Sequence, residues 1–343
     1  MTENKYLQWL SSSTSSVYWH DSAIISELDE AIGNGAAGVT TNPFLAQATL
    51  HAGRDFWRQQ GVDVDPALEG DARVEALMRG ITGLILKKVT PFRAHGFGKG
   101  YCCAQLNPNK PGQAAYMIEQ AKRYAQWAEN IVIKCPATRA GIEVYEECAA
   151  LGYNVAATVS FTVPQVLAVG EAFQRGAARA RAQGLQPGLG IAVLMVGRLD
   201  DYLRDVMQDS RSIATEADIV WSGLAAIKRA YQIFGERNYE CVLMPAGCRG
   251  PYHITELAGA RMIMSIAPKI AGQLAQIQEP FGERIQIPVG QEIIERLLTM
   301  PEFVKAYEPD GMAPNEFITF GSTNRTLTQF CDNGWNQLLA MHN

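Results

Sequence analysis

Residues 130–138, Asn-Ile-Val-Ile-Lys-Cys-Pro-Ala-Thr, decide the fold. The apolar run Ile-Val-Ile lies between Asn130 and Pro136, and this pattern predicts a short buried strand that ends at Lys134. Side chains alternate along a strand, so Val132 and Lys134 share one face. If both faces are buried, desolvation disfavours the ammonium form and leaves a neutral amine that can attack a carbonyl group. The alternative is that Lys134 lies at the strand end and extends its amine into water.

The rest of the chain alternates strand and helix patterns on both sides of this segment. Eight strand candidates occur, at residues 17–20, 38–41, 101–106, 131–134, 153–159, 189–196, 240–246 and 261–266. Strict alternation predicts a parallel sheet, and eight strand–helix units predict that the sheet closes into a (β/α)8 TIM barrel. A doubly wound open sheet is the competing architecture. It usually carries a glycine-rich phosphate loop, and neither G-x-G-x-x-G nor G-x-x-x-x-G-K occurs here. We therefore predict an α/β barrel.

Two helical regions lie outside the eight repeats. The segment at residues 49–99 is longer than the helix of one repeat requires. It contains apolar residues at helical spacing, which predicts an enlarged helical excursion after the second strand. Amphipathic helix patterns occur near the C-terminus, at residues 291–298 and 324–341. We predict a catalytic barrel domain at residues 1–280. A C-terminal helical extension at residues 281–343 is expected to pack on the barrel or on a partner subunit.

Composition excludes several functional classes. The chain has 343 residues and a net charge of −5 without a basic stripe, which argues against nucleic-acid binding. Its 7 cysteines include no C-x-x-C pair, as expected of reduced thiols in a cytoplasmic protein. The polar N-terminus does not predict a secretory signal, and no apolar run reaches the roughly 18 residues of a membrane helix. The chain has 5 histidines, the last of which is His342. Their positions do not have the spacing typical of metal ligands, so we expect no metal site.

In a barrel of this kind, the carboxyl ends of the strands face one mouth, where active sites lie. The polar residues at these positions are Asp21, Asn42, Gln105, Asn107, Lys134, Thr158, Arg198 and Arg249. A lysine, a carboxylate, amides, a hydroxyl and two arginines suit an imine-forming site with a subsite for a phosphate group. Asp21 has an alternative role, because an acidic residue at this position can cap the helix predicted at residues 22–32.

Four short segments resemble one known family. They are Val39-Thr-Thr-Asn-Pro, the lysine strand with Gly141 just beyond it, Val196-Gly-Arg with Asp200, and Ile266-Ala-Pro. In this order they are similar to the transaldolase and fructose-6-phosphate aldolase family of class I Schiff-base enzymes, and the resemblance covers roughly residues 17–278. It implies a cytoplasmic enzyme of carbohydrate metabolism, in the pentose phosphate pathway. Such an enzyme acts on a small sugar phosphate, needs no cofactor, binds neither nucleic acid nor membrane, and assembles as a homo-oligomer.

The resemblance implies a catalytic role for four residues at the mouth. Lys134 is the nucleophile that forms an iminium with the ketose, and Asp21 assists removal of the proton from the C4 hydroxyl. Thr158 positions the catalytic water. Gln105 occupies the place where transaldolases carry a proton-transferring glutamate, and an amide cannot exchange a proton near neutral pH.

The resemblance also implies a substrate-binding set, which comprises Asn42, Asn107, Arg198, Arg249 and Gly247. Asn42 holds the dihydroxyacetone portion, and the two arginines grip the terminal phosphate. Besides Gln105, three further positions depart from the family pattern. Gly247 replaces a serine beside the phosphate, Ala156 replaces an asparagine, and Met195 falls where the fructose-6-phosphate aldolases use a tyrosine.

These departures leave the acid/base and the outcome of the reaction open. Asp21, His253 and Tyr252 are the candidates for proton transfer. The leading prediction is a transaldolase-like transferase that moves a dihydroxyacetone unit from a ketose phosphate to an aldehyde acceptor through a Lys134 Schiff base. The alternatives are a lyase that releases dihydroxyacetone and a sugar-phosphate-binding barrel without turnover. The arginines also suit a carboxylate or sulfonate in place of phosphate.

Overall fold

A computed structural model describes residues 3–210 and 212–341, which form a ring of parallel strands surrounded by helices. The strands are β1 (Val17–His20), β2 (Gly38–Val39), β3 (Tyr101–Gln105), β4 (Ile131–Pro136), β5 (Val155–Thr158), β6 (Gly190–Leu194), β7 (Val242–Pro245) and β8 (Ile263–Ile266). Within these described ranges they follow the order β7-β6-β5-β4-β3-β2-β1-β8 and form a nearly closed barrel. The predicted (β/α)8 TIM barrel is therefore confirmed.

Strand β4 contains the lysine and is buried along its whole length. Parallel strands that are covered on both faces read as continuous apolar runs, and this explains the pattern before the lysine. The strand continues to Pro136, so the prediction that it ends at Lys134 is wrong. Lys134 is paired with Gln105 on β3 and with Ala156 on β5, and it is only 6% exposed. The alternative in which its amine extends into water is therefore also wrong.

Helices follow the strands and cover the outside of the ring. They are α1 (Lys5–Ser13), α2 (Ile25–Gly33), α3 (Pro43–Ala52), α4 (Arg54–Gln59), α5 (Gly70–Val89), α6 (Ala114–Ala125), α7 (Arg139–Ala150), α8 (Val163–Ala182), α9 (Val196–Ser210), α10 (Glu216–Ile219), α11 (Ser222–Glu236), α12 (Tyr252–Thr255), α13 (Pro268–Leu274), α14 (Gln291–Leu297), α15 (Pro301–Tyr307), α16 (Gly321–Phe330) and α17 (Asn336–Leu339). Helices α3 to α5 and the 3-10 segment Thr90–His95 lie between β2 and β3, which confirms the predicted helical excursion.

The C-terminal residues return to the strand ends at the mouth of the barrel. Residues 321–339 are helical, in agreement with the helix predicted at 324–341, but the π-helical segment Cys331–Trp335 lies between α16 and α17. A Cβ atom at Gly334 would lie only 2.7 Å from the backbone nitrogen of Phe44, so a glycine is needed where this segment packs on α3. Trp335 is fully buried, and its indole nitrogen donates a hydrogen bond of 2.9 Å to Asp71 Oδ1. The division into a barrel and an extension stays a prediction, and its outermost residues lie outside the described ranges.

Candidate active site

Lys134 points into the barrel at the carboxyl end of β4. Its Nζ lies 3.5 Å from the carbonyl oxygen of Thr41, which follows β2 on the far side of β3. This reach across a neighbouring strand places the amine on the inner face of the ring. Among the described residues, no carboxylate lies within ion-pair distance of Nζ. A buried amine beside a neutral carbonyl oxygen can act as a nucleophile, since no salt bridge has to be broken first.

Two buried polar atoms face the same region as the lysine. The Oε1 atom of Gln105 and the Oγ1 atom of Thr158 have no hydrogen-bond partner among the described residues. Gln105 is the neighbour of Lys134 on β3, and Thr158 pairs with Pro136 at the end of β4. An unsatisfied buried polar group costs about 1–3 kcal/mol, and each one in a native protein calls for an explanation. A water molecule or a substrate hydroxyl that donates hydrogen bonds at this mouth would satisfy these atoms.

Asp21 lies directly after β1, three strands along the ring from β4. The hydroxyl of Thr40 donates a hydrogen bond of 2.6 Å to Asp21 Oδ1, and the same hydroxyl lies 2.7 Å from Ser265 Oγ on β8. Helix α2 begins at Ile25, and its N-cap, Ile24, provides no side-chain hydrogen bond. The alternative in which Asp21 caps that helix is therefore wrong. The carboxylate is instead held at the strand end by the hydroxyl of Thr40, which also contacts Ser265.

The pKa of the Cys103 thiol, on β3, is influenced by the charges of both Lys134 and Asp21. Burial raises the pKa of this thiol to about 11, the charge of Lys134 opposes the rise, and the charge of Asp21 adds to it. Both charges act on this one thiol, so Lys134 and Asp21 contribute to the electrostatics of the same part of the barrel interior. Cys103 shares the inner face of β3 with Gln105 by alternation. A thiol with a raised pKa stays neutral, and we assign it a packing role.

The turn after Thr158 carries backbone strain. Val159 has a φ of 57°, which is a left-handed conformation that a β-branched residue adopts at a cost of about 1–3 kcal/mol. The side chain of Gln165 holds this turn. Its Nε2 donates to the carbonyl oxygen of Val159 at 3.4 Å and to that of Ala137 at 3.1 Å. Because Ala137 follows β4, Gln165 ties the end of the lysine strand to the end of β5.

Arg198 and Arg249 lie together at the ends of β6 and β7, with Gly247 between them. Arg249 donates to the carbonyl oxygen of Gly247 at 3.0 Å, and a Cβ atom on Gly247 would lie 3.5 Å from Arg198 Cγ. Burial and the neighbouring charge of Arg249 both lower the pKa of Arg198. The φ of Gly247 is 62°, so a serine at this position would be strained. The two guanidinium groups form the cationic end of the candidate site.

A buried pair, Asp200 and His253, supports the Arg249 loop. His253 Nε2 lies 2.9 Å from Asp200 Oδ2, and both side chains are fully buried. His253 Nδ1 accepts a hydrogen bond of 3.1 Å from the backbone N–H of Arg249. Nδ1 is thus occupied by the loop backbone, and Nε2 faces Asp200 and not the mouth, although its contact with Asp200 does not have hydrogen-bond geometry. Its predicted part in proton transfer has no support in this geometry.

The two remaining predicted residues have internal partners. Asn42 caps helix α3, since its Oδ1 accepts a hydrogen bond of 2.9 Å from the backbone of Leu45. Asn107 donates to Asp71 at 2.9 Å and accepts from the backbone of Asn109 at 2.9 Å. The substrate-binding roles of Asn42 and Asn107 stay predictions. For Asn107, these contacts give the side-chain amide a structural role at the edge of the mouth.

Sequence reasoning missed several residues of this region. Thr40 could have been identified, because it lies in the segment Val39-Thr-Thr-Asn-Pro that resembles the family. Gln165 and Asp71 gave no local signal, since each is a polar residue in an ordinary helical pattern. Gln329 on α16 contacts Arg198 across 131 residues of sequence.

The described residues include no group of three or more histidine, cysteine, aspartate or glutamate side chains that could hold a metal ion. Within the same ranges, no helix combines the length and the apolar character that a membrane span requires. All 7 cysteines are free. His342 lies outside the described residues.

Comparison with known proteins finds one family across most of the chain. The profile of the family described as Transaldolase/Fructose-6-phosphate aldolase matches residues 18–317. A transaldolase of Thiobacillus denitrificans is 28% identical over 214 residues, which are 59% of this chain and 58% of that protein. A transaldolase of Renibacterium salmoninarum is 32% identical over 58% of this chain and 54% of that protein. A probable transaldolase of Dehalococcoides mccartyi is 25% identical over 75% of this chain and 88% of that protein. The chain thus spans little more than half the length of the first two relatives.

Proposed function

Because this chain belongs to the transaldolase/fructose-6-phosphate aldolase family, we propose that it is a transferase of the transaldolase type. It moves a dihydroxyacetone unit from a ketose phosphate to an aldehyde acceptor through a Schiff base on Lys134. The observation that carries the proposal is the buried amine of Lys134, which is 6% exposed and lies beside the unpartnered polar atoms of Gln105 and Thr158.

The first half of the reaction joins the lysine to the donor sugar. The neutral amine of Lys134 attacks the C2 carbonyl carbon of the ketose, and the carbonyl oxygen takes up a proton to give a carbinolamine. One further proton, taken up from solvent water, lets that oxygen leave as water and gives an iminium; the proton returns to solvent when the final iminium is hydrolysed. Gln105 and Thr158 each have one buried oxygen that can accept a hydrogen bond from the departing water or from a sugar hydroxyl. Their proximity to the lysine supports this role.

The second half breaks and remakes a carbon–carbon bond. Asp21 accepts the proton of the C4 hydroxyl, the bond between C3 and C4 breaks, and its electron pair moves toward the iminium nitrogen to give an enamine. The C4 fragment leaves as an aldehyde. An acceptor aldehyde then takes its place, the enamine carbon attacks it, and Asp21 returns the proton to the new alkoxide oxygen. Addition of water to the resulting iminium releases the product ketose and the free amine.

The cationic pair Arg198 and Arg249 binds the far end of the sugar in this proposal. A guanidinium group can donate two parallel hydrogen bonds to a phosphate, which makes arginine suitable for this task. Gly247 leaves space between the two arginines where a side chain would approach Arg198 Cγ at 3.5 Å. The phosphate of the donor, and that of a phosphorylated acceptor, would bind there.

Reductive trapping tests the covalent step. We expect borohydride reduction in the presence of fructose 6-phosphate to add one sugar to the peptide that contains Lys134, with the mass located by tandem spectrometry. Lys134→Met should abolish the adduct, whereas Lys110→Met, a matched control at a nearby loop, should leave it unchanged. An adduct that survives Lys134→Met, or no adduct over a panel of ketoses and ketose phosphates, refutes the proposal.

A second measurement separates the two possible outcomes of cleavage. Free dihydroxyacetone is assayed from fructose 6-phosphate with and without erythrose 4-phosphate as acceptor. A transferase releases little dihydroxyacetone alone and forms a seven-carbon ketose phosphate with the acceptor. Steady release of dihydroxyacetone at an equal rate in both mixtures would identify a lyase.

A further inference from the structure

Arg198 is enclosed by one face of helix α16. Its Nη1 atom donates a hydrogen bond of 2.6 Å to Gln329 Oε1 and lies 3.5 Å from Thr326 Oγ1. The guanidinium carbon lies 5.7 Å from the centre of the Phe330 ring. Residues 326, 329 and 330 share a helix face by their spacing. The C-terminal helix therefore sets the position of the more buried arginine of the pair.

The charges of the two arginines are balanced differently. Arg249 is held by Asp201, with Nε at 2.7 Å and Nη2 at 2.6 Å from Oδ2. Within residues 3–210 and 212–341, Arg198 has no carboxylate at ion-pair distance, and its closest side-chain acceptor is the neutral amide of Gln329. The charges of Asp201 and Asp21 act on Arg198 only from a distance, so it retains more of its attraction for an incoming anion than an arginine in a direct ion pair. Arg198 is thus the arginine whose charge is available to a substrate.

We propose that Gln329 determines the preference of this site for substrates with a tetrahedral oxyanion at one end. The amide acts at both of its ends: Oε1 holds Arg198 in position, and Nε2 donates a further hydrogen bond to the same anion. Glutamine suits this task because it is an acceptor and a donor without charge. A glutamate in its place would neutralise Arg198 and repel the anion, and an apolar residue would release the guanidinium.

This inference rests on the proposed function for its substrate, so its test uses a probe that needs no chemistry. Binding of inorganic phosphate is measured by calorimetry for the unmodified chain, for Gln329→Met and for Gln329→Glu. A hydrogen bond to a charged group is stronger than one between neutral groups, so we expect Gln329→Met to weaken phosphate binding about tenfold, which is about 1.4 kcal/mol. Gln329→Glu adds like-charge repulsion and should weaken it about 100-fold. Asn324→Asp, which adds one negative charge on the exposed part of the same helix, should leave it unchanged.

Kinetics supply the second readout. With a ketose phosphate, both Gln329 variants should raise KM by these factors with little change in kcat, while their reaction with unphosphorylated fructose stays within about twofold of the unmodified chain. Equal losses with both sugars, or phosphate binding that is absent or insensitive to both substitutions, would overturn the inference. If phosphate binding follows the expected pattern but Lys134 forms no adduct, the inference stands and the proposed reaction fails.

Discussion

The buried imidazole of His20 is expected to make the stability of this barrel depend on pH. His20 is 2% exposed on the outer face of β1, with Nδ1 at 3.4 Å from the hydroxyl of Tyr18 and Nε2 at 4.0 Å from Glu27. Burial lowers the pKa of His20 from 6.5 to about 4. The histidine therefore stays neutral in the folded chain at a pH where it is protonated in the unfolded chain.

The sign and size of the effect follow from proton linkage. A buried base with a lowered pKa contributes stability that is present above pH 6.5 and is lost as the pH falls toward 4, because the unfolded chain binds more protons in that window. With these two values, the loss between pH 7.5 and pH 5 is about 2 kcal/mol of unfolding free energy from this one group. The backbone carbonyl of His20 accepts a hydrogen bond of 3.0 Å from the backbone N–H of Thr40. Local unfolding of β1 would therefore also displace Thr40, whose hydroxyl holds Asp21.

Urea denaturation at the two pH values checks this prediction. The unfolding free energies of the unmodified chain and of His20→Gln are compared at pH 7.5 and pH 5, since contributions from all other groups cancel in the difference between the two proteins. We expect the unmodified chain to lose about 2 kcal/mol more than His20→Gln. His95→Gln, at an exposed position, serves as the control and should behave like the unmodified chain. Equal acid sensitivity of the unmodified chain and His20→Gln would refute the reasoning.

Two other substitutions test how the framework is held. Asp218, whose pKa is lowered to about 2 chiefly by hydrogen bonds from Arg296, stabilises the fold above pH 3.8, and this contribution disappears as the pH falls toward 2. We expect Asp218→Asn to cost about 1–2 kcal/mol at pH 7, seen in thermal melting, and a constant difference down to pH 2 would contradict the assignment. At Gly141, a Cβ atom would lie 1.8 Å from the carbonyl oxygen of Pro136, so Gly141→Ala should cost more than about 3 kcal/mol. In Gly83→Ala the new Cβ meets no atom within 4 Å, and this control should stabilise helix α5 by about 0.5–1 kcal/mol in the same assay.

The barrel itself was predictable from the sequence because its strands are buried on both faces. Such strands produce short continuous apolar runs, and their alternation with helix patterns leaves few possible topologies. The same pattern identified Lys134, since a charged residue after three apolar ones is visible without any knowledge of the fold. The sequence did not determine the environment of the Lys134 side chain. The strand was predicted to end at the lysine, which allowed an amine in water. The observed strand continues to Pro136 and is buried along its length, which keeps the amine in the barrel.

Contacts between distant segments explain what the sequence did not reveal. Trp335 reaches Asp71 across 264 residues, and Gln329 reaches Arg198 across 131. Neither pair has a local signal, because each member fits an ordinary helical pattern. The amphipathic pattern at residues 324–341 likewise continues through the π-helical segment, in which Gly334 packs closely against helix α3. Tertiary packing decided these features.

The position of the available proton acceptor bears on the choice between transfer and cleavage. Gln105 cannot exchange a proton, the ring nitrogens of His253 face Asp200 and the Arg249 backbone, and burial raises the pKa of Tyr252, so we take Asp21 as the base in the proposed mechanism. A base that takes the proton of the C4 hydroxyl can return it to the alkoxide oxygen of an acceptor aldehyde, because that oxygen forms in the same place. Release of dihydroxyacetone needs a proton at the enamine carbon instead, at a different position and from a different direction. One carboxylate that serves a single oxygen position therefore favours transfer, and Asp21→Asn should slow transfer and cleavage together, by about 100-fold or more in kcat.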